Sequence, residues 1–364
     1  MWGSDRRSIK SLPECWVFDA TIPPLAGATF TRHRVERVNM VRVLSSGDVA
    51  AVLKLDELLP VIEDAFRKQG RGGVERPDRP HYPVGTGLEG DEPLGTGLAM
   101  PAYVHGEPTF ATKLVSVHEG NVDRDVSTVN AQIVLADAAT GEPLAFLEGN
   151  RITGGRTGCV GGLAARELAT GPVRLGLLGA GTQARWQARA IAAATDLERV
   201  RIYAPDETRV ECAEDLSAEF DGVEVAAVGS PEAAIEDANV VVTATTSQTP
   251  VFPGEKLEPG TLVVGIGAYT AGMQEIDATT FDRAARVFAD VPEEVAETGD
   301  VREAGLDADD LHPFSAVFEG AAGRGNPDEI IVVESVGSAV MDAATAGLVY
   351  EKAVEADVGT TLQF

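Results

Sequence analysis

Lysine, cysteine and histidine are all scarce in this 364-residue chain. Six lysines stand among 30 basic residues, against 57 Asp and Glu, and the net charge is −27. So acidic a surface repels phosphate backbones and anionic lipids, which argues against nucleic acid and membranes as partners. Carboxylates in such excess keep a protein hydrated in molar salt, so the composition points to a halophilic setting. The three cysteines, Cys15, Cys159 and Cys212, form neither a disulfide framework nor a metal-ligand pattern, which fits a reducing cytoplasm. Five histidines without paired spacing offer no zinc signature, so no metal is expected. No apolar run approaches the ~18 residues that a bilayer crossing needs. At 44% hydrophobic the chain reads as soluble, with length for two domains.

The first 39 residues differ from the rest. They carry six Arg or Lys against four acids, net +2, while the remainder is −29. The Arg6-Arg7 pair is not followed by the apolar segment of an export signal. This stretch reads as a disordered extension, or as translated upstream sequence before a start at Met40.

From Val41 the pattern is orderly. Apolar residues from Val49 to Phe66 recur near helical spacing behind a Ser46/Asp48 start signal, predicting one helix over Ser46–Phe66. A Gly- and Pro-rich loop, Gly70–Gly97, leads to strands at Thr109–Val117 and Val129–Ala136. After Val173, β-branched runs alternate with helical segments: Val173–Leu178, Val200–Tyr203, Val223–Val225, Val240–Ala244, Leu262–Ile266 and Val287–Ala289. Such alternation predicts a parallel sheet with crossover helices.

The most specific local signal is Leu177-Leu178-Gly179-Ala180-Gly181-Thr182-Gln183-Ala184, an apolar strand running into G-x-G-x-x-A and then a helix over Arg185–Ala194. The first glycine permits the turn, the second lets backbone approach a pyrophosphate, and the small third residue lets helix pack on strand. The helix N-terminus offers free N–H groups and partial positive charge to the anion. The pattern predicts a Rossmann dinucleotide-binding domain and an oxidoreductase. The next strand ends Tyr203-Ala204-Pro205-Asp206. Ala204 thus stands where a ribose-binding acid is expected, with Asp206 two residues late. Arg209 reads either as a 2′-phosphate ligand or as a solvated helix residue, which leaves NAD and NADP both open.

Three cations attract notice for chemistry. Lys113 shares a strand face with Ala111, Val115 and Val117, so it either snorkels to water or works in a site. Arg156, before an Ala-rich helix read as Gly161–Leu168, opposes the helix dipole unless it binds an anion; otherwise it is a surface residue. Arg79 lies in a proline-flanked loop and, taken alone, reads as structural.

These residues also carry a likeness. From Val41 onward the chain resembles the ornithine cyclodeaminase/μ-crystallin family, which includes archaeal alanine dehydrogenases and ketimine reductases. The matching stretches are Met100-Pro101-Ala102-Tyr103, Thr112-Lys113-Leu114-Val115, Arg156-Thr157-Gly158, the phosphate loop with Gln183-Ala184, Glu275-Ile276-Asp277, and Ser335 through Asp342. The resemblance implies a doubly wound Rossmann domain over 161–338. It also implies an α+β substrate and dimerisation domain over 40–160, completed by 339–364, in a homodimer. Lys113, Arg79 and Arg156 are implied around a substrate carboxylate. Thr128, Arg156, Thr157, Gly179, Ala180, Gly181, Thr182, Gln183, Ala184, Asp206, Thr246, Val264 and Ser335 are the residues expected to touch NAD or NADP.

One departure matters. Cyclodeaminases carry a catalytic Asp in a Gly-Asp-x-Pro-Gly-Lys-type segment. This chain has Tyr269 in its place, and Met273 where a cofactor-contacting Lys would stand. Without that Asp the side-chain amine of ornithine loses its anchoring carboxylate. The expected activity is therefore nicotinamide-dependent oxidoreduction of a small α-amino acid or its oxo or imino partner. Ornithine cyclodeaminase, and a non-catalytic NADPH-binding crystallin-like protein, are the alternatives.

Overall fold

The computed structural model describes residues 40–124 and 126–363, which belong to one compact unit; the extension expected over 1–39 lies outside them. The first sheet contains β1 Met40–Leu44, β2 Val74–Glu75, β3 His81–Val84, β4 Gly95–Val104, β5 Thr109–Val117, β6 Val129–Asp137 and β7 Pro143–Glu148. The second contains β8 Val173–Leu178, β9 Leu197–Tyr203, β10 Glu224–Ala227, β11 Val240–Thr243, β12 Leu262–Gly265, β13 Ala284–Ala289, β14 His312–Pro313 and β15 Ile330–Glu334. The last strand, β16 Thr360–Gln363, returns to the first sheet, whose order is β16-β1-β7-β6-β5-β4-β2 with β3 also on β4; only β1 and β7 run parallel. The second sheet, β10-β9-β8-β11-β12-β15-β13-β14, is parallel throughout.

The two sheets follow from two patterns. Strands β11, β12 and β15 are buried at every position, because crossover helices cover both faces of a parallel sheet. In β5 burial alternates: Ala111 and Lys113 face the core, while Phe110 and Leu114 face outward. The expected Rossmann sheet and second α+β layer are both present. Strands β1, β7, β14, β15 and β16 add to those predicted, and the Gly70–Gly97 loop proves to contain β2, β3 and the start of β4.

The helix expected over Ser46–Phe66 is two helices, α1 Ser46–Val52 and α2 Leu55–Gly70. Ser45 and Asp48 cap α1 reciprocally, Ser45 N donating to Asp48 at 2.9 Å and Asp48 N to Ser45 Oγ at 3.3 Å. Val49 and Val52 pack on the first sheet's core, whereas Leu58, Leu59, Ile62 and Phe66 join the second. Extended backbone at Leu53 and Lys54 re-aims the apolar face between them.

The helix read as Gly161–Leu168 begins twelve residues earlier, as α3 Gly149–Leu168, with the Glu148 side chain accepting from Asn150 N at 2.8 Å and Arg151 N at 3.1 Å. Its glycines lower intrinsic helicity and so concealed it. They serve packing: a Cβ on Gly158 would lie 2.6 Å from the Trp186 carbonyl oxygen, and one on Gly162 2.7 Å from that of Ala190. Both carbonyls belong to α4, Thr182–Ala194. Arg156 is therefore mid-helix rather than at a helix start, so its conflict with the dipole falls away. The boundary expected at 160/161 falls inside α3, a helix that both halves share.

Replacing Gly158 with alanine tests this close approach. Helix propensity favours alanine by about 1 kcal/mol, but overpacking against a main chain costs roughly 1–3 kcal/mol. The variant is expected to unfold at lower temperature than the parent; an equal or higher midpoint would contradict the packing account.

Candidate active site

At the switch point of the parallel sheet, between β8 and β11, strand order reverses, the place where open parallel sheets bind ligands outside their carboxyl ends. Gly179 turns there with φ +115°, and a Cβ would stand 2.4 Å from the Ala244 carbonyl oxygen, so only glycine fits. Gly181 is the N-cap of α4 without any side-chain cap, and a Cβ on it would meet nothing within 4 Å. Ala180 and Ala184 are buried against the strand, and Thr182 is exposed at the mouth. Gln183 Oε1 is buried without a hydrogen-bond partner. Bare amides at a helix start and open space before them fit a dinucleotide pyrophosphate, whereas the unpaired Gln183 oxygen, an acceptor, suits a donor such as a hydroxyl.

Other expected cofactor residues divide. Thr246 is exposed just beyond β11 and Ser335 follows β15, both at the carboxyl edge. Ser335 Oγ donates to Asp290 at 2.6 Å. The carbonyl of Thr157 accepts from Gln187 at 2.8 Å, and that of Thr128 from the His118 amide at 2.8 Å. The side chain of Val264 lies wholly in the core of a strand paired on both sides, and the strand's carboxyl end is formed by Gly265 and Ile266. Asp206 is also committed elsewhere, accepting from Thr208 N at 3.0 Å as α5, Thr208–Glu219, begins. Arg209 folds back onto the Asp206 carbonyl and pairs with Glu207 at 3.0 Å.

Three elements bring the cationic residues together. Lys113 on β5 and Arg156 on α3 are 3% and 5% exposed, and both turn to Asp342, in the first turn of the C-terminal helix Ala339–Glu355. Lys113 Nζ lies 2.6 Å from Asp342 Oδ2, and Arg156 Nε donates to Asp342 Oδ1 at 3.0 Å. Lys113 also donates to Thr153 Oγ1 at 3.4 Å. Burial brings the Lys113 ammonium down to about 8; Asp342 opposes that fall, while Arg156 and Arg79 add to it. Desolvation is thus the main cause, not the neighbouring arginines. Burial alone would raise the Asp342 carboxyl, yet Arg156 and Lys113 hold it below its ordinary value. Asp342 carried no role in the sequence reading, because an acid in a helix's first turn reads as a dipole partner.

The cluster abuts the cofactor edge through one turn. Gly337 has φ +83°, and a Cβ there would lie 2.5 Å from the Arg156 guanidinium. Arg79 Nη1 lies 3.4 Å from the Gly337 carbonyl oxygen. The buried Asp290 carboxylate anchors this turn, accepting from Gly337 N at 2.8 Å and Val336 N at 3.2 Å.

Further buried carboxyls brace the strand ends. Glu275 accepts from Thr245 N at 2.6 Å, Gly267 N at 2.7 Å and Thr243 Oγ1 at 3.0 Å, and burial raises it to about 7. Asp300, raised by burial to about 6, accepts from the Glu275 and Ile276 amides at 2.7 Å each. On the segment between, Tyr269 is 43% exposed and Met273 is buried. Among the described residues no group of His, Cys, Asp and Glu is arranged to hold a metal ion, and no helix is long and apolar enough to cross a membrane.

The profile of the ornithine cyclodeaminase/mu-crystallin family matches residues 38–357. The chain belongs to this family. A Delta(1)-pyrroline-2-carboxylate reductase of Bacillus cereus is 35% identical over 295 residues, 79% of this chain and 90% of that protein. The solved Thermococcus litoralis Delta(1)-pyrroline-2-carboxylate reductase, in complex with NADH and L-proline, aligns at 32% identity with a TM-score of 0.82, over 88% of this chain and 99% of that one. An archaeal alanine dehydrogenase dimer with bound NAD aligns at 28% identity and TM-score 0.81, over 89% and 99%. Membership places the chain among nicotinamide-dependent oxidoreductases of imino and amino acids.

Two substitutions test the two halves of this site. Gly181→Val fills the open space before α4 and is expected to weaken NADH or NADPH binding more than tenfold, about 1.4 kcal/mol; unchanged affinity in a fluorescence titration would mean the pyrophosphate lies elsewhere. Asp342→Asn removes the charge that keeps Lys113 protonated. Its ammonium should therefore titrate below its position near 8, by about 1–3 units as for other close ion pairs. The corresponding limb of the pH–rate profile should move to lower pH, and a limb that stays in place would separate Asp342 from the charge of Lys113.

Proposed function

We propose that this protein is a nicotinamide-dependent reductase of a small imino acid of the Δ1-pyrroline-2-carboxylate type, running also from amino acid to imine. The observation that carries this reading is the buried Lys113–Asp342–Arg156 cluster, set against the Ser335–Gly337 turn at the carboxyl edge of the parallel sheet. Likeness to two pyrroline-2-carboxylate reductases supports it. So does Tyr269, which puts a phenol where cyclisation of ornithine would use a carboxylate.

Gly179 to Ala184, Thr246 and Ser335 would hold the dinucleotide. When bound, it supplies or accepts the hydride. Arg79 and the free guanidinium edge of Arg156 bind the substrate carboxylate, and two anchors fix the position of its α-carbon, a contribution of orientation. Lys113 holds a proton at the imine or amine nitrogen. Its titration near 8 lets that proton leave and return close to neutral pH. Asp342 keeps both cations aimed and balances part of their charge.

We also read the protein as a cytoplasmic homodimer suited to high salt. Phe110 and Leu114 on the outward face of β5 give a partner apolar surface to cover, and the net charge of −27 supports the saline setting.

Assays in high salt with NADH and NADPH test the proposal. Δ1-Pyrroline-2-carboxylate should be reduced faster than pyruvate with ammonia, and ornithine should yield no proline. Faster ammonia-dependent reduction of pyruvate would make the protein an alanine dehydrogenase; proline from ornithine would restore the cyclodeaminase reading. Tight NADPH binding without turnover would indicate a crystallin-like binding protein. Reduction uses the protonated form of Lys113, so its kcat/KM should fall as pH rises through about 8, while proline oxidation should rise over the same range. Lys113→Met should lower turnover about 10²–10⁴-fold, as for other lost proton-transfer groups, with dinucleotide affinity within a few-fold. A mutant at half the parent rate would remove Lys113 from the chemistry.

A further inference from the structure

Arg79 hangs from the first sheet, on the segment between β2 and β3, with Pro77 and Pro80 on either side. Across to the parallel half, its side chain reaches the Gly337 carbonyl at a long 3.4 Å. A second contact from the same half is an ion pair with Glu294. Glu294 lies on the short helix Pro292–Val295, just beyond the Asp290 that anchors the Ser335–Gly337 turn, and follows β13 of the parallel sheet. One of its carboxylate oxygens pairs with Arg76 and the other with Arg79. All three side chains are mostly buried, between 18% and 24% exposed.

This bridge is more than a surface ion pair. Exposed pairs contribute roughly 0–1 kcal/mol because water and side-chain entropy compete with them. Here one carboxylate holds two guanidiniums in a half-buried groove, and Arg79 keeps its remaining donors free. Arg79 is also close enough to Lys113 to help depress its protonation, so it belongs to the same cationic field as the cluster on Asp342. The cofactor edge is built on the parallel sheet, whereas Arg79 and Lys113 are carried by the first. An anchor on one half needs a tie to the other if the substrate's α-carbon is to be held at hydride-transfer distance, since small misplacements are costly in rate.

We propose that Glu294 is a positioning residue that holds Arg79 from behind through the Arg76–Glu294–Arg79 bridge, so that the guanidinium presents its free edge to the substrate carboxylate in register with the cofactor edge. The inference rests on the imino-acid reductase reading for the role of Arg79. Glu294 touches neither substrate nor cofactor; it acts through Arg79.

The test is a double-mutant cycle on the full-length protein with Glu294→Gln, Arg79→Met and the pair. Glu294→Gln should raise KM for Δ1-pyrroline-2-carboxylate about tenfold, leave kcat within about threefold and leave NADH affinity within about twofold. Glu294→Asp, which keeps the charge, should recover most of the loss. In the Arg79→Met background Glu294→Gln should add no more than about twofold, because residues acting through one another are not additive. An unchanged or lowered KM in Glu294→Gln overturns the proposal, as does a penalty that persists in full without Arg79. The same cycle read on the Kd of L-proline in NAD-loaded protein needs no turnover. If the parent protein reduces no imino acid but the proline cycle still couples, the reading of the reaction fails and the positioning role stands. If no carboxylate ligand binds the parent, both fall.

Discussion

One carboxylate organises the centre of this molecule. Asp342 is buried at the start of the C-terminal helix and receives Lys113 from the first sheet and Arg156 from α3. Burying a lone carboxylate or ammonium costs several kcal/mol, so each of the three charges is held in its ionised form by the others. The chain leaves the parallel sheet at Glu334, crosses through the Ser335–Gly337 turn, and Asp342 then draws the helix back over the first sheet. The same interaction that closes the fold gathers the cations of the site.

Charge accounting makes that centre suited to an anionic ligand. Lys113 and Arg156 share the counter-charge of Asp342, the buried Asp290 lies within electrostatic reach of Arg156, and Glu294 stands behind Arg79. These cations are gathered in a chain whose net charge of −27 repels anions nearly everywhere else. Local positive potential in an acidic protein is thus a matter of a few residues placed by three separate elements.

The strand ends beside this centre are held by buried carboxyls of another kind. Glu275 and Asp300 accept backbone amides across the loops that follow β11 and β12, and burial pushes both upward. Glu334 shares this environment: burial raises it, and Asp300, Glu275 and Asp290 around it add to the rise. The glycines of α3 perform the complementary task, letting α3 pack closely on α4, the helix that begins at the phosphate loop.

The parallel half was legible in the chain because its cues are local. Uninterrupted β-branched runs, a strand leading into Gly179-Ala180-Gly181, and the helix behind it each depend on neighbours in sequence, and β5 and β8 appear with the bounds their alternation and apolar runs predict. Lys113 could be placed on the inner face of β5 from parity alone. What lay outside that reach came from contacts between distant segments. Glycine lowers helicity wherever it stands, so the first twelve residues of α3 went unread until α4 gave its glycines a reason. The apolar periodicity of Ser46–Phe66 could not show that its two ends face different cores. Asp342 lies 229 positions beyond Lys113, and Glu294 more than 200 beyond Arg79, so nothing in local spacing marks either as a partner. The residue types that can do the chemistry are a property of the sequence; which carboxylate restrains which cation is settled only when the C-terminal helix and the parallel sheet close on the first sheet, because ion pairing depends on distance through space and desolvation on what covers the pair.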